Sequence, residues 1–270
     1  MTHSQLDTSR LPFRSALFMD KPADRPLVVG HRGLPSKYPD NSLPGYEAAL
    51  CAGADAVECD VRVGSNGDLI LHHDRLSLDG VFVEQMSVRE RQQRSIPTLD
   101  DLLALMESWP TRGLLIEGKT VAASREIVRR YERKPRQGFI SFSDSAVAMA
   151  VAHGWPAGFV TADSAQVMLD LAPTGACLGP RYTVAASLAA PYLQYANVWT
   201  VNNGLVAVEL ARRGVFALTT DRADEILAAL TAASISEMRT DLTSQPDSQL
   251  DGRALTHSTT AGPVMVNMTK

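Results

Sequence analysis

Four apolar runs in this 270-residue chain stop on ionisable residues. They are Val28-Val29-Gly30-His31-Arg32-Gly33, Val57-Glu58-Cys59-Asp60-Val61, Leu69-Ile70-Leu71-His72-His73-Asp74 and Leu114-Leu115-Ile116-Glu117-Gly118-Lys119. Each reads as a buried strand. An unpaired charge inside such a strand is very costly, so ionisable groups belong where the strand ends. Four ends of this kind imply one shared polar site at the mouth of a barrel or sheet. Carboxylates, imidazoles and cations in one place are the ingredients of metal-assisted hydrolysis.

Glu58 and Asp60 are two apart on a strand, so both carboxylates project from one face. Carboxylates held close repel and raise each other's pKa unless something positive lies between them. A divalent cation is one solution, and Glu117 supplies a third oxygen ligand. An all-oxygen set suits Mg²⁺ or Ca²⁺ rather than Zn²⁺. Salt bridges to Arg32, Arg62 or Lys119 are the plainer reading of the same acids. His31 and His73 can take or give protons at neutral pH. Breaking a phosphodiester needs one group to activate the nucleophile and one to protonate the leaving alkoxide. Arg32 and Lys119 offer the positive charge and donors that phosphate oxygens need. Cys59 alternates with Glu58 and Asp60 and is expected to point the other way, into packing.

In order along the chain stand His31-Arg32-Gly33, Pro39-Asp40-Asn41-Ser42, Glu58-x-Asp60, His73-Asp74, Glu117-x-Lys119 and Trp199-Thr200-Val201-Asn202. This series resembles the glycerophosphodiester phosphodiesterase family, from about Leu27 to about Leu227. The resemblance implies a TIM-like (β/α)₈ barrel of the phospholipase C-like phosphodiesterase kind. It implies catalytic histidines at His31 and His73, and metal ligands at Glu58, Asp60 and Glu117. It places Arg32, Lys119, Asn41 and Trp199 among the substrate contacts. Asn41 either donates to phosphate or caps a loop. Trp199 either offers a flat face to the alcohol part of the substrate or packs the barrel mouth. His72 falls where the family has an apolar or aromatic residue, and by alternation it faces away from His73. Asn202 is a weaker site candidate. The segment differs from the family pattern in three further places. Asp40 stands for a glutamate, Gly118 stands for an isoleucine, and Arg75-Leu76-Ser77-Leu78-Asp79-Gly80 replaces a longer polar stretch beside the substrate.

Apolar runs alternate with helical patterns, the mark of βα units. Strands are predicted near 27–31, 56–61, 69–73, 114–118, 138–142, 157–161, 176–180, 197–201 and 216–220. The connection Val63-Gly64-Ser65-Asn66-Gly67-Asp68 is too short for a parallel crossover and holds an Asn-Gly turn. So 69–73 folds back antiparallel onto 56–61, and eight strands remain for the barrel. A turn tip at Asn66-Gly67 puts Asp60 roughly opposite His73. Helices are predicted at 44–52 after an N-cap at Ser42, at 99–108 with Thr98 and Asp101 as a capping box, and at 121–130, 143–153, 164–171 and 222–233.

The composition, 45% hydrophobic and 21% charged, is that of a globular protein with a sizeable core. A net charge of −4 argues against a nucleic-acid footprint, which is basic. Three widely spaced cysteines, Cys51, Cys59 and Cys177, fit reduced thiols in the cytoplasm. Residues 1–24 form an extension without a signal-peptide run, 25–235 the barrel domain, and 236–270 a flexible tail. No segment approaches the ~18 apolar residues of a membrane span. The expected function is metal-dependent hydrolysis of a small glycerophosphodiester to an alcohol and glycerol 3-phosphate. Two other readings stay open. One is action on a lysophospholipid or another diester, favoured by the apolar loop with Leu76, Leu78 and Val81-Phe82-Val83. The other is a non-catalytic barrel that binds phosphorylated ligands.

Overall fold

Nine strands form where the apolar runs place them. A computed structural model describes residues 22, 24–161, 177–186 and 193–244. The strands are β1 (Leu27–His31), β2 (Ala56–Val63), β3 (Leu69–Leu71), β4 (Gly113–Gly118), β5 (Gln137–Ser141), β6 (Ala157–Thr161), β7 (Cys177–Pro180), β8 (Asn197–Val198) and β9 (Ala217–Thr220). Eight of them pair in parallel in the order β7-β6-β5-β4-β2-β1-β9-β8, with β3 antiparallel on β2. The ring closes between β7 and β8 through a bridge of Arg181 to Trp199. Two bonds make it: Trp199 N–H donates to the Pro180 carbonyl at 3.0 Å, and Tyr182 N–H to the Trp199 carbonyl at 2.8 Å. This is the expected (β/α)₈ barrel.

The helices are α1 (Leu43–Cys51), α2 (Val88–Gln93), α3 (Leu99–Glu107), α4 (Val121–Arg130), α5 (Asp144–Ala152), α6 (Tyr182–Ala185), α7 (Gly204–Arg212) and α8 (Ala223–Ser244). Ser42 caps α1, accepting from Gly45 N–H. Thr98 and Asp101 form the capping box of α3. Helices α2, α6 and α7 were not expected. Asn203 caps α7 by accepting from the N–H groups of Leu205 and Val206, a start signal present in the sequence. The helix expected at 164–171 lies outside the described residues. Helix α8 runs past Ala233 to Ser244. The chain divides into two units, Met1–Ser234 and Ile235–Lys270. The expected tail is therefore helical backbone as far as Ser244, and 245–270 lie outside the described residues. Among the described residues no helix is long and apolar enough to cross a membrane.

Alternation along the strands separates two apolar layers. Val57, Cys59 and Val61 of β2 belong to the large layer between barrel and helices, together with Leu114, Ile116 and Ile127. Cys59 is thus packed outward, as expected. Leu27, Val29, Ala56, Leu115 and Ala217 fill the barrel interior below the ionisable residues.

The hairpin register differs by one residue from the expectation. The pairs are Val61↔Leu71, Arg62↔Ile70 and Val63↔Leu69. Its loop is five residues long and closes with Gly64 N–H on the Asp68 carbonyl, so the tip is Asn66 and not the Asn66-Gly67 bond. Asp60 therefore stands opposite His72, whose N–H donates to the Asp60 carbonyl at 3.0 Å. β3 then ends at Leu71, and the chain bends before His73. Arg91 of α2, buried, fixes the loop through Asn66, Asp68 and the Met86 carbonyl.

At the opposite end of the barrel, Asp55 precedes β2 and gathers three donors. Arg25 binds it twice, at 2.6 and 3.1 Å, and Val28 N–H donates at 2.8 Å. This face of such barrels serves stability rather than chemistry. Asp55→Ala removes the carboxylate partner of a partly buried guanidinium, which keeps only the Pro26 carbonyl, and leaves the Val28 N–H without its acceptor. It is expected to destabilise the fold by about 1–3 kcal/mol, read from denaturant midpoints.

Candidate active site

The first strand delivers two functional groups by an unusual turn. After His31, Arg32 takes a left-handed conformation with φ of 54°, and Gly33 follows at 94°. Only glycine fits at 33. A Cβ there would lie 2.7 to 2.9 Å from the backbone of Gly45 and Tyr46 in α1. The turn aims Arg32 N–H at Glu58 Oε2, 3.1 Å away. Its guanidinium meets Asp60 Oδ2 at 3.1 Å and Asp40 Oδ2 at 2.9 Å. The shorter acid at position 40 thus holds Arg32. A strained conformation at a cluster of charges is what a functional site retains.

Strand register assembles the carboxylates. His31 pairs with Glu58 across β1 and β2, and Asp60 pairs with Glu117 across β2 and β4. Glu58, Asp60 and Glu117 are 2%, 1% and 6% exposed. One oxygen from each lies within 4.8 Å of the others. Lys119 Nζ sits 2.7 Å from Glu117 Oε1 and 3.2 Å from Asp60 Oδ1. Gly118 lets β4 pass close to α4. A Cβ there would collide with Ser124 Oγ and crowd the Phe139 ring at 3.1 Å, so buried Ser124 fills the volume that an isoleucine would need.

The three acids have different electrostatic fates. Burial pushes Asp60 up, but Lys119, Arg32 and the Asn41 amide outweigh it and hold its carboxyl below the usual range. Burial, then Asp60 and Glu117, push Glu58 well above it. Burial likewise raises Glu117, against the pull of Lys119. Glu58 Oε1 is buried and has no hydrogen-bond partner among the described residues. An oxygen-only donor set with an unpartnered buried carboxylate oxygen fits a hard divalent cation. Glu58, Asp60 and Glu117 are the residues that could hold one.

Both histidines are oriented by carboxylates. His31 Nδ1 lies 2.6 Å from Asp221 Oδ1, and Asn202 Nδ2 donates to Asp221 Oδ2 at 2.6 Å. His73 Nδ1 lies 2.8 Å from Asp74 Oδ1. Burial lowers the His73 pKa, an effect only partly offset by Asp60. Arg62, a partner for the acids only in the salt-bridge alternative, donates twice to the His73 carbonyl at 3.0 and 2.7 Å and is anchored by Glu84 at 2.8 Å. His72 turns to the Asp74 carbonyl at 2.9 Å.

His31, Arg32, Glu58, His73, Glu117, Lys119 and Trp199 line one cavity. Asn41 does not line it. It is buried behind Asp60, to which its amide donates at 2.8 Å, while its oxygen accepts from Asp60 N–H at 3.0 Å and from Tyr46 O–H at 2.7 Å. Its expected place among the substrate contacts is thus corrected: its polar atoms are spent on holding Asp60. Trp199 Nε1 donates to the Gly179 carbonyl at 2.7 Å, and its ring meets Phe142 edge to face at 5.4 Å. Sequence reasoning missed Asp221 and Phe142, and it did not foresee the bond of Arg62 to the His73 carbonyl. Asp221 had a signal, because Ala217-Leu218-Thr219-Thr220-Asp221 is another apolar strand stopping on an acid.

Residues 31–151 match the model of the Glycerophosphoryl diester phosphodiesterase family. The matched segment covers less than half of the chain. "Probable glycerophosphodiester phosphodiesterase 1" of Mycobacterium tuberculosis is 32% identical over a match covering 37% of this chain and 49% of its own length. "Probable glycerophosphodiester phosphodiesterase 2" of the same organism is 30% identical, over 40% and 44%. The match thus spans about half the length of these curated relatives. A putative glycerophosphoryl diester phosphodiesterase from Silicibacter pomeroyi shares the fold with a TM-score of 0.69, at 20% identity, over 82% of this chain and 98% of its own. A phosphodiesterase from Oleispira antarctica, solved with its product sn-glycerol-3-phosphate, aligns with a TM-score of 0.65 at 24% identity, over 77% and 97%. The family segment contains His31, Glu58, Asp60, His73, Glu117 and Lys119, and Trp199 and Asp221 lie beyond it.

Asn41→Ala is expected to strand the Tyr46 hydroxyl and the Asp60 N–H in the interior. The loss is about 1–3 kcal/mol of stability, read as a lowered denaturant midpoint. Tyr46→Phe removes one of these bonds without leaving a buried donor and is expected to cost less.

Proposed function

We propose that this chain hydrolyses a glycerophosphodiester to an alcohol and a phosphomonoester, with a divalent cation bound at Glu58, Asp60 and Glu117. The observation that carries the reading is the partnerless Glu58 Oε1 inside a buried carboxylate triad. That triad is bordered by two cations and two carboxylate-held histidines. The product bound to the Oleispira antarctica phosphodiesterase supports glycerol 3-phosphate as the phosphomonoester. When bound, Mg²⁺ or Ca²⁺ supplies a Lewis acid for a phosphoryl oxygen.

The chain's own groups divide the remaining work. Arg32 and Lys119 face the cavity as donors for the non-bridging oxygens. Their charges are secure: burial opposes them, yet the surrounding acids hold both above their ordinary values. His31 takes the proton of the attacking hydroxyl, water or the glycerol 2-hydroxyl, and Asp221 stabilises the imidazolium that forms. His73 returns a proton to the leaving alkoxide. Its lowered pKa makes the protonated ring a stronger acid, and Asp74 and the Arg62 clamp on its carbonyl fix its direction. Trp199 offers its face to the alcohol part. The free thiols of Cys51 and Cys59 support a cytoplasmic setting.

Excess chelator is expected to abolish phosphomonoester release from a diester panel, and Mg²⁺ or Ca²⁺ to restore it. Full turnover under chelation excludes the cation from the mechanism. His31→Ala and His73→Ala are each expected to lower kcat by ~10²-fold or more, the size of a general acid–base contribution. His72→Ala is expected to cost far less, because its ring turns to the Asp74 carbonyl instead of the cavity. A dispensable His73 beside an essential His72 reverses their assignment.

A further inference from the structure

The barrel mouth is divided into two halves of opposite chemistry. Neighbouring strands β4, β2, β1 and β9 end on Glu117, Asp60, His31 and Asp221. The contiguous strands β5 to β8 end on Ser141-Phe142, Val160-Thr161, Gly179-Pro180 and Val198-Trp199, with no acid on them or directly after them, and the one ionisable residue that directly follows any of them is Arg181, after β7. The cavity inherits this split. Opposite its charged wall stand Ile140, Phe142, Phe159, Val160 and Trp199, with Gly158 and Gly179 leaving room between them. A phosphate bound on the charged side leaves the rest of the substrate against the apolar one.

The aromatic rings there do not form an open box for a cation. Lys119 Nζ stands 5.6 Å from the centroid of Phe142, and the Arg181 guanidinium 5.4 Å from that of Trp199. One face of each ring already serves a protein cation. A quaternary or primary ammonium placed beside them meets charge of its own sign. No acid lines the apolar half among the described residues.

The surface around the mouth continues the pattern. Among the described residues, every exposed large apolar side chain lies on a connection leaving the mouth end of the barrel, Leu78, Phe82, Phe142, Tyr182 and Leu205 among them. Leu78 is fully exposed and Leu205 is 83% exposed. Among the described residues, the connections at the opposite end carry none.

We infer that the cavity takes phosphodiesters carrying an uncharged apolar group beside the phosphate, in preference to choline or ethanolamine esters. This rests on the diester reading above and narrows its substrate class. The reaction is the same hydrolysis. The P–O bond to the leaving alcohol breaks, oxygen from the attacking hydroxyl stays on phosphorus, and a proton leaves on the alcohol. The apolar group has two possible positions, the alcohol or the glycerol.

The full chain, supplied with Mg²⁺ or Ca²⁺, is assayed on glycerol 3-phosphate esters of choline, ethanolamine and n-octanol, all as monomers. A fourth substrate, a 1-acyl glycerol 3-phosphate ester of glycerol, moves the chain to the other side. An apolar substrate is expected to exceed the choline ester in kcat/KM by about tenfold or more. Whichever of the two does so locates the group. A choline ester turned over as well as both overturns the inference. Calorimetry keeps the two readings apart: octyl phosphate is expected to bind more tightly than phosphocholine even if no diester is hydrolysed. Absent hydrolysis would then defeat only the diester reading, whereas equal binding defeats this one. Arg181→Gln is expected to narrow the preference against choline by about two- to fivefold, and an unchanged ratio overturns the role given to its charge.

Discussion

Three carboxylates and two cations share one nearly dry site, and the surrounding architecture answers to that cluster. In a medium of low dielectric, like charges at these separations repel strongly. Asp60 remains ionised because three neighbours address it, Arg32, Lys119 and Asn41. Glu58 receives less help, from the Arg32 N–H and the more distant charges of Arg32 and Lys119, and its other oxygen has no hydrogen-bond partner among the described residues. The left-handed Arg32, the glycine after it, the placement of α1 and the buried Tyr46–Asn41–Asp60 chain all serve to hold these charges in register. A barrel suits the task. Adjacent parallel strands bring residues far apart in sequence, such as His31, Glu58 and Glu117, onto one rim.

Much of this was legible in the residues themselves. Period-two alternation placed Cys59 outward and its acidic neighbours inward, and the Gly64–Asp68 loop was too short for anything but a hairpin. The register slip arose because an Asn-Gly pair reads as a two-residue turn, whereas Gly64 and Asp68 close a five-residue one. The consequence for His73 was small, since the strand stops before it and a bend restores its direction. Asn41 was misplaced for a different reason. A short polar residue on a loop near a phosphate site reads as a donor, and only the packing of Tyr46 beneath it shows its amide already committed. The clamp of Arg62 on the His73 carbonyl could not be read at all, because a side chain's bond to a main-chain oxygen leaves no mark on residue type. Helices α2 and α6, six and four residues long, are too short for a helical period to declare itself.

The split between charged and apolar strand ends also has a sequence form. Runs ending on His, Asp, Glu or Lys announce chemistry. The runs that end on Phe, Val or Trp carry equal information about what sits beside the reacting group. Their silence on charge is itself a specification, since a site that discriminates between alcohols must do so with the wall that is not performing the proton transfers.

Trp199 occupies a position of double duty. Its amide and carbonyl supply both bonds of the Arg181–Trp199 bridge, the join between β7 and the two-residue β8, while its ring faces the cavity. The joins on either side, β6–β7 and β8–β9, have four and two paired positions. The hoop is therefore thinnest where a ligand touches it. Whatever presses on that indole stabilises the clasp by the same free energy with which the clasp orients the indole, since linkage works equally in both directions. Occupancy and circumferential integrity become one equilibrium, and the empty barrel should breathe first along this seam.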